Sequence, residues 1–199
     1  MSALPKRKYT IEEYVELLKT SEERFEYFDG EIFSMAGGKF AHGAISANVL
    51  ISLGQRLTNS ACRAFGPDNA LKVPAAPPFR FPDVSVVCGK PILQDFHGID
   101  LLVNPIVIVE VLSDSTSSYD LNEKFAAYQS IESFQEYLVI SQKRAPVIHH
   151  IKQPNGRWLR QDIIGVESSV QLESIKITLT LQEIYESVNF PESQQPTAN

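Results

Sequence analysis

The chain has 199 residues, 43% of them hydrophobic and 21% charged, which is a globular composition long enough to bury a core without metal or disulfide support. Its 24 acidic and 18 basic residues leave a formal charge of −6, which argues against a purely electrostatic nucleic-acid binder but not against an enzyme touching nucleic acid locally. Cys62 and Cys88 form no C-x-x-C unit, so a Cys-based zinc site is excluded and a reduced setting is expected.

In chain order, the basic start Lys6-Arg7-Lys8 has no apolar segment behind it and does not read as a leader. Thr10 with Glu13 forms a capping box, predicting a helix to about Lys19. Asp29-Gly30 between Arg24–Phe28 and Glu31–Met35 predicts a hairpin. Gly37-Gly38 breaks the chain. A longer helix is then expected from Ala41 to Leu57, because Ile45, Val49, Leu50, Leu53 and Leu57 recur at helical spacing.

Strands are expected at Cys62–Phe65, Asn69–Val73, Phe81–Cys88 and Ile106–Leu112, the last apolar on both faces like a central strand. That stretch is the most apolar in the chain, yet it is too short to span a bilayer. A helix over Tyr119–Ile131, a strand at Glu136–Ile140, and a hairpin of 147–152 and 157–163 around Asn155-Gly156 follow. Thr180 caps a last helix over Leu181–Val188. The expected organisation is one domain over 1–188 with a disordered polar tail at 189–199. The element order implies an α/β or α+β fold with a mixed sheet.

Three residues stand out chemically. Glu110 is a carboxylate inside an otherwise apolar strand, costly to bury without a partner. A salt bridge or a wet strand end would satisfy it; so would a metal. Asp83 follows Pro82 at the head of its strand and shares a face with Ser85 and Val87. Lys124 falls within the helical stripe of Leu121, Phe125, Tyr128 and Ile131, where it either snorkels or reaches a buried carboxylate. Two carboxylates on neighbouring strands repel unless a cation lies between them. Oxygen ligands favour Mg²⁺ or Mn²⁺, and a lysine beside such an ion fits phosphodiester hydrolysis.

Pro82-Asp83 followed by Glu110-Val111-Leu112 resembles the PD-(D/E)XK nuclease pattern. More narrowly, Tyr9-Thr-Ile-Glu-Glu-Tyr14, Arg24-Phe-Glu-Tyr-Phe-Asp-Gly-Glu31, His42, Phe81-Pro-Asp-Val84, Ile108-Val-Glu-Val-Leu-Ser113 and Tyr119-Asp-Leu-Asn-Glu-Lys-Phe-Ala-Ala-Tyr128 resemble the restriction endonuclease domain family, formerly a domain of unknown function. Glu136-Tyr-Leu-Val139 and Leu181-Gln-Glu-Ile-Tyr185 continue the likeness, which spans roughly Lys8 to Val188.

The resemblance implies a restriction-endonuclease-like core of mixed sheet flanked by helices, with added hairpins. It implies a divalent-metal-dependent DNA endonuclease using Mg²⁺ or Mn²⁺, with Asp83, Glu110 and the Val111 main-chain carbonyl as metal ligands and Lys124 as the catalytic lysine. The superfamily lysine position holds Leu112 here, so the lysine has migrated to the next helix. Asp114 replaces a common proline in the loop. Glu26 and His42 are possible accessory residues. A cytoplasmic protein with no membrane association is expected from the lack of a leader or spanning segment, and by analogy with nucleases of this size a homodimer is expected.

The competing reading is an inactive binding or regulatory module on the same fold. A non-nuclease metal hydrolase lacks any His-rich signature: His149 and His150 point to opposite strand faces, and His97 lies in a loop. Lys6, Arg7, Lys8, Arg56, Arg63, Lys72 and Arg80 are candidate phosphate contacts.

Overall fold

The structure is a computed structural model that describes residues 7–34, 39–112, 120–143 and 146–190. Helix α1 (Ile11–Thr20) starts at the Thr10 capping box: Thr10 Oγ1 accepts the Glu13 N–H at 3.2 Å and Glu13 Oε2 accepts the Thr10 N–H at 2.9 Å. The hairpin β1 (Phe25–Phe28) and β2 (Glu31–Ser34) turns at Asp29 (φ 45°) and Gly30 (φ 81°), both left-handed as a two-residue turn of this class requires. Tyr14 ties helix to hairpin, its hydroxyl donating to the Phe25 carbonyl at 2.7 Å.

Helix α2 (Phe40–Leu57) buries Ile45, Val49, Leu53 and Leu57 as one stripe. Beneath it lies a six-stranded sheet ordered β10-β9-β8-β7-β4-β3, from β3 (Cys62–Phe65), β4 (Val84–Cys88), β7 (Val107–Leu112), β8 (Glu136–Ser141), β9 (Val147–Lys152) and β10 (Trp158–Ile163). Only β7 and β8 run parallel, so the sheet is mixed. A parallel pair needs a crossover, and residues 120–134 provide the described part of it on the face opposite α2. Alternation sends Val84, Val86, Val107, Val109 and Val111 towards α2, and Val87, Ile108 and Val139 towards Tyr128, Ile131 and Phe134. Both faces of β7 are therefore covered, as its unbroken apolar run requires.

Several elements differ from expectation. The helix over Tyr119–Ile131 is, in its described part, a π-helical turn (Asp120–Lys124) running into the short helix α3 (Phe125–Tyr128). Strand β4 begins at Val84 rather than Phe81, and the strand at Asn69–Val73 shrinks to single bridges from Leu71 to Arg80 and Leu102. Two hairpins were not anticipated: β5 (Leu93–Phe96) with β6 (Ile99–Leu102), and β11 (Ser169–Leu172) with β12 (Ile177–Thr180). The first turns at His97 (φ 53°) and Gly98 (φ 86°), a pair whose histidine hides the signal. The last helix, α4 (Leu181–Ile184), has its Thr180 capping box but ends after one turn.

Cys62 faces Cys88 across the β3–β4 register, and the two are disulfide-bonded, against the expectation of a reduced pair. The partnership comes from strand register and has no local sequence signature. The expected Gly37-Gly38 break, Asp114 and the tail beyond 190 lie outside the described residues. Phe190 itself packs on Tyr185, ring centroids 5.3 Å apart. No helix of the described residues is long and apolar enough to cross a membrane.

Candidate active site

Strand β7 carries Glu110 on the face of Ile108, the side of the crossover, where it is 4% exposed. Two donors meet one of its oxygens. Lys124 Nζ lies 2.9 Å from Oε1, and the Tyr128 hydroxyl donates to the same atom at 2.7 Å. The donors stand four residues apart, one at the end of the π-helical turn and one in α3, so both look down on the strand. Lys124 is also 4% exposed: it does not snorkel to water.

A second carboxylate reaches the same ammonium. Glu26, from β1, places Oε1 3.3 Å from Lys124 Nζ, an ion contact without an aligned hydrogen bond. The site thus recruits Glu26 from the interior side of its hairpin, where a surface acid would have been the ordinary reading. Burial, then the charges of Glu110 and Glu26, push the Tyr128 hydroxyl well above its ordinary pKa, so it stays protonated and remains a donor.

Asp83 is fixed by a different group. Its Oδ2 accepts the Val111 N–H at 2.7 Å, and its Oδ1 lies 3.5 Å from His42 Nε2. The Ser46 hydroxyl is within reach of both Asp83 Oδ1 (3.3 Å) and the His42 carbonyl (3.0 Å), and its single proton serves one at a time. His42 and Ser46 lie one turn apart near the start of α2, so that helix addresses the end of β4.

The register explains why Asp83 meets Val111. Val84 pairs Val109, so two residues further along Val111 stands opposite Pro82. A strand residue projects its N–H and C=O from one edge. The Val111 N–H points towards Asp83, so its carbonyl projects that way too, opposite a proline with no N–H to give. Asp83 thus sits at the head of β4, held by α2 and the Val111 N–H, while Glu110, the residue before Val111, is held from the crossover side. Among the described residues no three His, Cys, Asp or Glu side chains gather as a metal cluster. An ion held by Asp83 or Glu110 would therefore need a main-chain carbonyl and water to complete its shell.

Arg80 corrects an expectation. It was a candidate phosphate contact, yet it is 2% exposed. Its backbone pairs with Leu71 in both directions (2.7 and 3.0 Å), and its guanidinium donates to the Phe79 carbonyl at 2.8 Å. Its charge acts on Tyr14 and Tyr128, inside the fold. Arg7, Lys8 and Arg56 have acidic partners in Glu13, Asp29 and Glu183. His149 is buried against Glu136 at 2.6 Å, and His150 packs its ring on Phe125 at 4.2 Å. His97 sets its ring edge against Phe96. Tyr128 and Ser46 had no individual role in the sequence reading. The signal for Tyr128 was its place four residues after Lys124.

Comparison with known proteins bears on the fold and the family. A protein of Synechocystis sp. (strain ATCC 27184 / PCC 6803 / Kazusa), "Uncharacterized protein slr1290", is 30% identical over 188 residues, covering 94% of this chain and 96% of its own. A second from the same organism, "Uncharacterized protein sll1609", is 30% identical over 168 residues, covering 84% and 94%. Among solved structures, a crystal structure from Anabaena variabilis ATCC 29413 described as "a putative nuclease belonging to DUF820" has the same fold, with a TM-score of 0.70 at 18% identity over 88% of this chain and 97% of that one. Residues 11–184 match the family model described as "Uma2: Putative restriction endonuclease", and the chain belongs to that family.

Proposed function

We propose that the protein is a divalent-metal-dependent endonuclease that hydrolyses DNA phosphodiester bonds as a homodimer. The observation that carries this reading is the Lys124 ammonium buried between the Glu26 and Glu110 carboxylates, beside the Asp83–Val111 notch. Asp83, Glu110 and the Val111 carbonyl would hold Mg²⁺ or Mn²⁺. When bound, the ion supplies a Lewis-acidic centre for the phosphate and its attacking water. Lys124 places positive charge where the phosphate gains negative charge, an effect concentrated in the transition state. Tyr128 holds the Glu110 carboxylate in one orientation. His42, 3.5 Å from Asp83, stands at the α2 side of the notch, where an imidazole can accept a proton from water. In the reaction the water oxygen bonds to phosphorus, the bond to the leaving oxygen breaks, and that oxygen takes up a proton.

The test is cleavage of single-stranded, duplex and branched DNA with Mg²⁺ or Mn²⁺, comparing wild type with Asp83→Ala. Metal-dependent cleavage that Asp83→Ala abolishes supports the reading. Equal cleavage by both proteins, or none by wild type on any substrate, rejects it. The second reading, a nucleic-acid-binding or regulatory module without catalysis, is favoured by Leu112 at the usual lysine position. DNA binding by wild type without cleavage would select it.

A further inference from the structure

The outer edge of the six-stranded sheet is β10, which among the described residues pairs only with β9 in that sheet. The phase of its hydrogen bonding is fixed by the Gln153 N–H, which donates to the Arg157 carbonyl at 2.7 Å in the same register. Residues alternate along an antiparallel ladder. Leu159, Gln161 and Ile163 therefore bond inward to β9, and the N–H and C=O groups of Trp158, Arg160 and Asp162 project from the edge. Such an edge is a template for another strand.

Natural edges are commonly protected by charge. Here the charges are opposite and two residues apart: Arg160 and Asp162 form an exposed fork, Nε to Oδ1 at 2.7 Å and Nη2 to Oδ2 at 3.0 Å. This spacing does not repel a second copy. It is self-complementary. Two β10 strands meeting antiparallel about Gln161 set each Arg160 against the other's Asp162, on rungs where both residues offer outward backbone groups. The same alignment sets Leu159 against Ile163 and Trp158 against Ile164, and Leu159 (46% exposed) and Ile164 (71%) are apolar groups otherwise left in water.

Neighbouring registers fail. A shift centred on Arg160 opposes arginine to arginine, and one centred on Asp162 opposes aspartate to aspartate; both juxtapositions are unfavourable. An odd shift sets an outward rung against an inward one.

We propose that β10 is the surface on which two copies of this chain associate, joining their sheets through an antiparallel β10–β10 pair with its two-fold axis at Gln161. This specifies the subunit pairing of the proposed function but needs none of its chemistry. Within the monomer the Arg160–Asp162 fork is exposed and contributes little, so exchanging it across the axis costs little.

The test is sedimentation equilibrium of the full chain for wild type, R160D, D162R and the double exchange R160D/D162R. Wild type should dimerise. Each single variant should weaken the dimer about tenfold or more, because two like-charge rungs replace two favourable ones. The double exchange should restore it. A monomeric wild type, unaffected single variants, or a double variant no better than either single one would overturn the proposal. A second measurement is independent of charge. At the axis a non-hydrogen-bonded pair holds the two copies of residue 161 about 4.5 Å apart at Cα, within disulfide reach. Q161C should form a cross-linked dimer under mild oxidation, and L159C, offset from its own copy, should not; the reverse pattern overturns the register. Cleavage assays on the same samples report separately on the nuclease reading.

Discussion

Lys124 and Tyr128, four residues apart, place their donors on one and the same oxygen of Glu110, at 2.9 and 2.7 Å. The carboxylate is thereby held from one side by a charge and a neutral hydroxyl that can be removed separately.

Removing the charge should cost both stability and catalysis. Lys124→Met keeps most of the stem but leaves Glu26 and Glu110 buried without their shared cation. The metal-free protein should lose about 3–5 kcal/mol. Mn²⁺ should recover more stability in the variant than in wild type, because the ion replaces the missing charge. Turnover should fall roughly a hundredfold. Denaturant unfolding with and without Mn²⁺, alongside cleavage rates, reads all three effects. Wild-type turnover in Lys124→Met would remove Lys124 from the mechanism.

Removing the hydroxyl should act on geometry. Tyr128→Phe preserves the ring that packs on Phe134 and Tyr137. Loss of a hydrogen bond to a charged group should cost about 1.5–3 kcal/mol. If the hydroxyl also orients Glu110 towards an ion, metal affinity should drop about 10–100-fold. Calorimetric Mn²⁺ titration checks this; unchanged affinity with reduced stability would leave Tyr128 a structural residue only.

Asp83→Asn keeps an oxygen that can accept the Val111 N–H and removes one negative charge from the notch. Wild type should gain about 2.7 kcal/mol of stability at a hundredfold excess of Mn²⁺ over its dissociation constant. The variant should gain much less. Equal thermal shifts in both proteins would exclude Asp83 as a ligand.

Stability should also fall on mild acidification through His150. Burial, with Arg160 and His149 adding repulsion, lowers its pKa from 6.5 to about 4. Between those values the unfolded chain binds a proton that the folded chain refuses. Stability is therefore full above pH 6.5, declines as pH falls towards 4, and levels off below. The loss attributable to this residue is at most about 3 kcal/mol. His150→Phe, which retains the ring packing on Phe125, should flatten that segment of the stability–pH curve. An unchanged slope would assign it to other groups.

Much of the framework was legible because local chemistry and tertiary outcome agree. Thr10 and Thr180 both cap helices with a glutamate three residues on, and both boxes form. Asp29-Gly30 and Asn155-Gly156 both lie between paired strands. The β5–β6 hairpin was missed because His97 occupies a left-handed position without being a usual turn residue. The π-helical turn has no composition signal, so the helix was read as regular. Glu110 and Lys124 could be singled out because each contradicts its own apolar surroundings. Glu26 could not, since a glutamate in a hairpin is ordinary until the fold carries it to Lys124.

Pro82 shows how a single missing hydrogen can end a ladder. Were residue 82 to carry an N–H, the ladder between β4 and β7 could run on by another rung and the Val111 carbonyl would be spent inside it. The proline works as the stop on a zipper: it leaves the last teeth open, and the open teeth are where the Asp83 carboxylate lodges. Sheet length and the seat of the Asp83 carboxylate thus compete for the same backbone atoms, and at this rung the chain has given up a little ladder cohesion to hold a side chain instead.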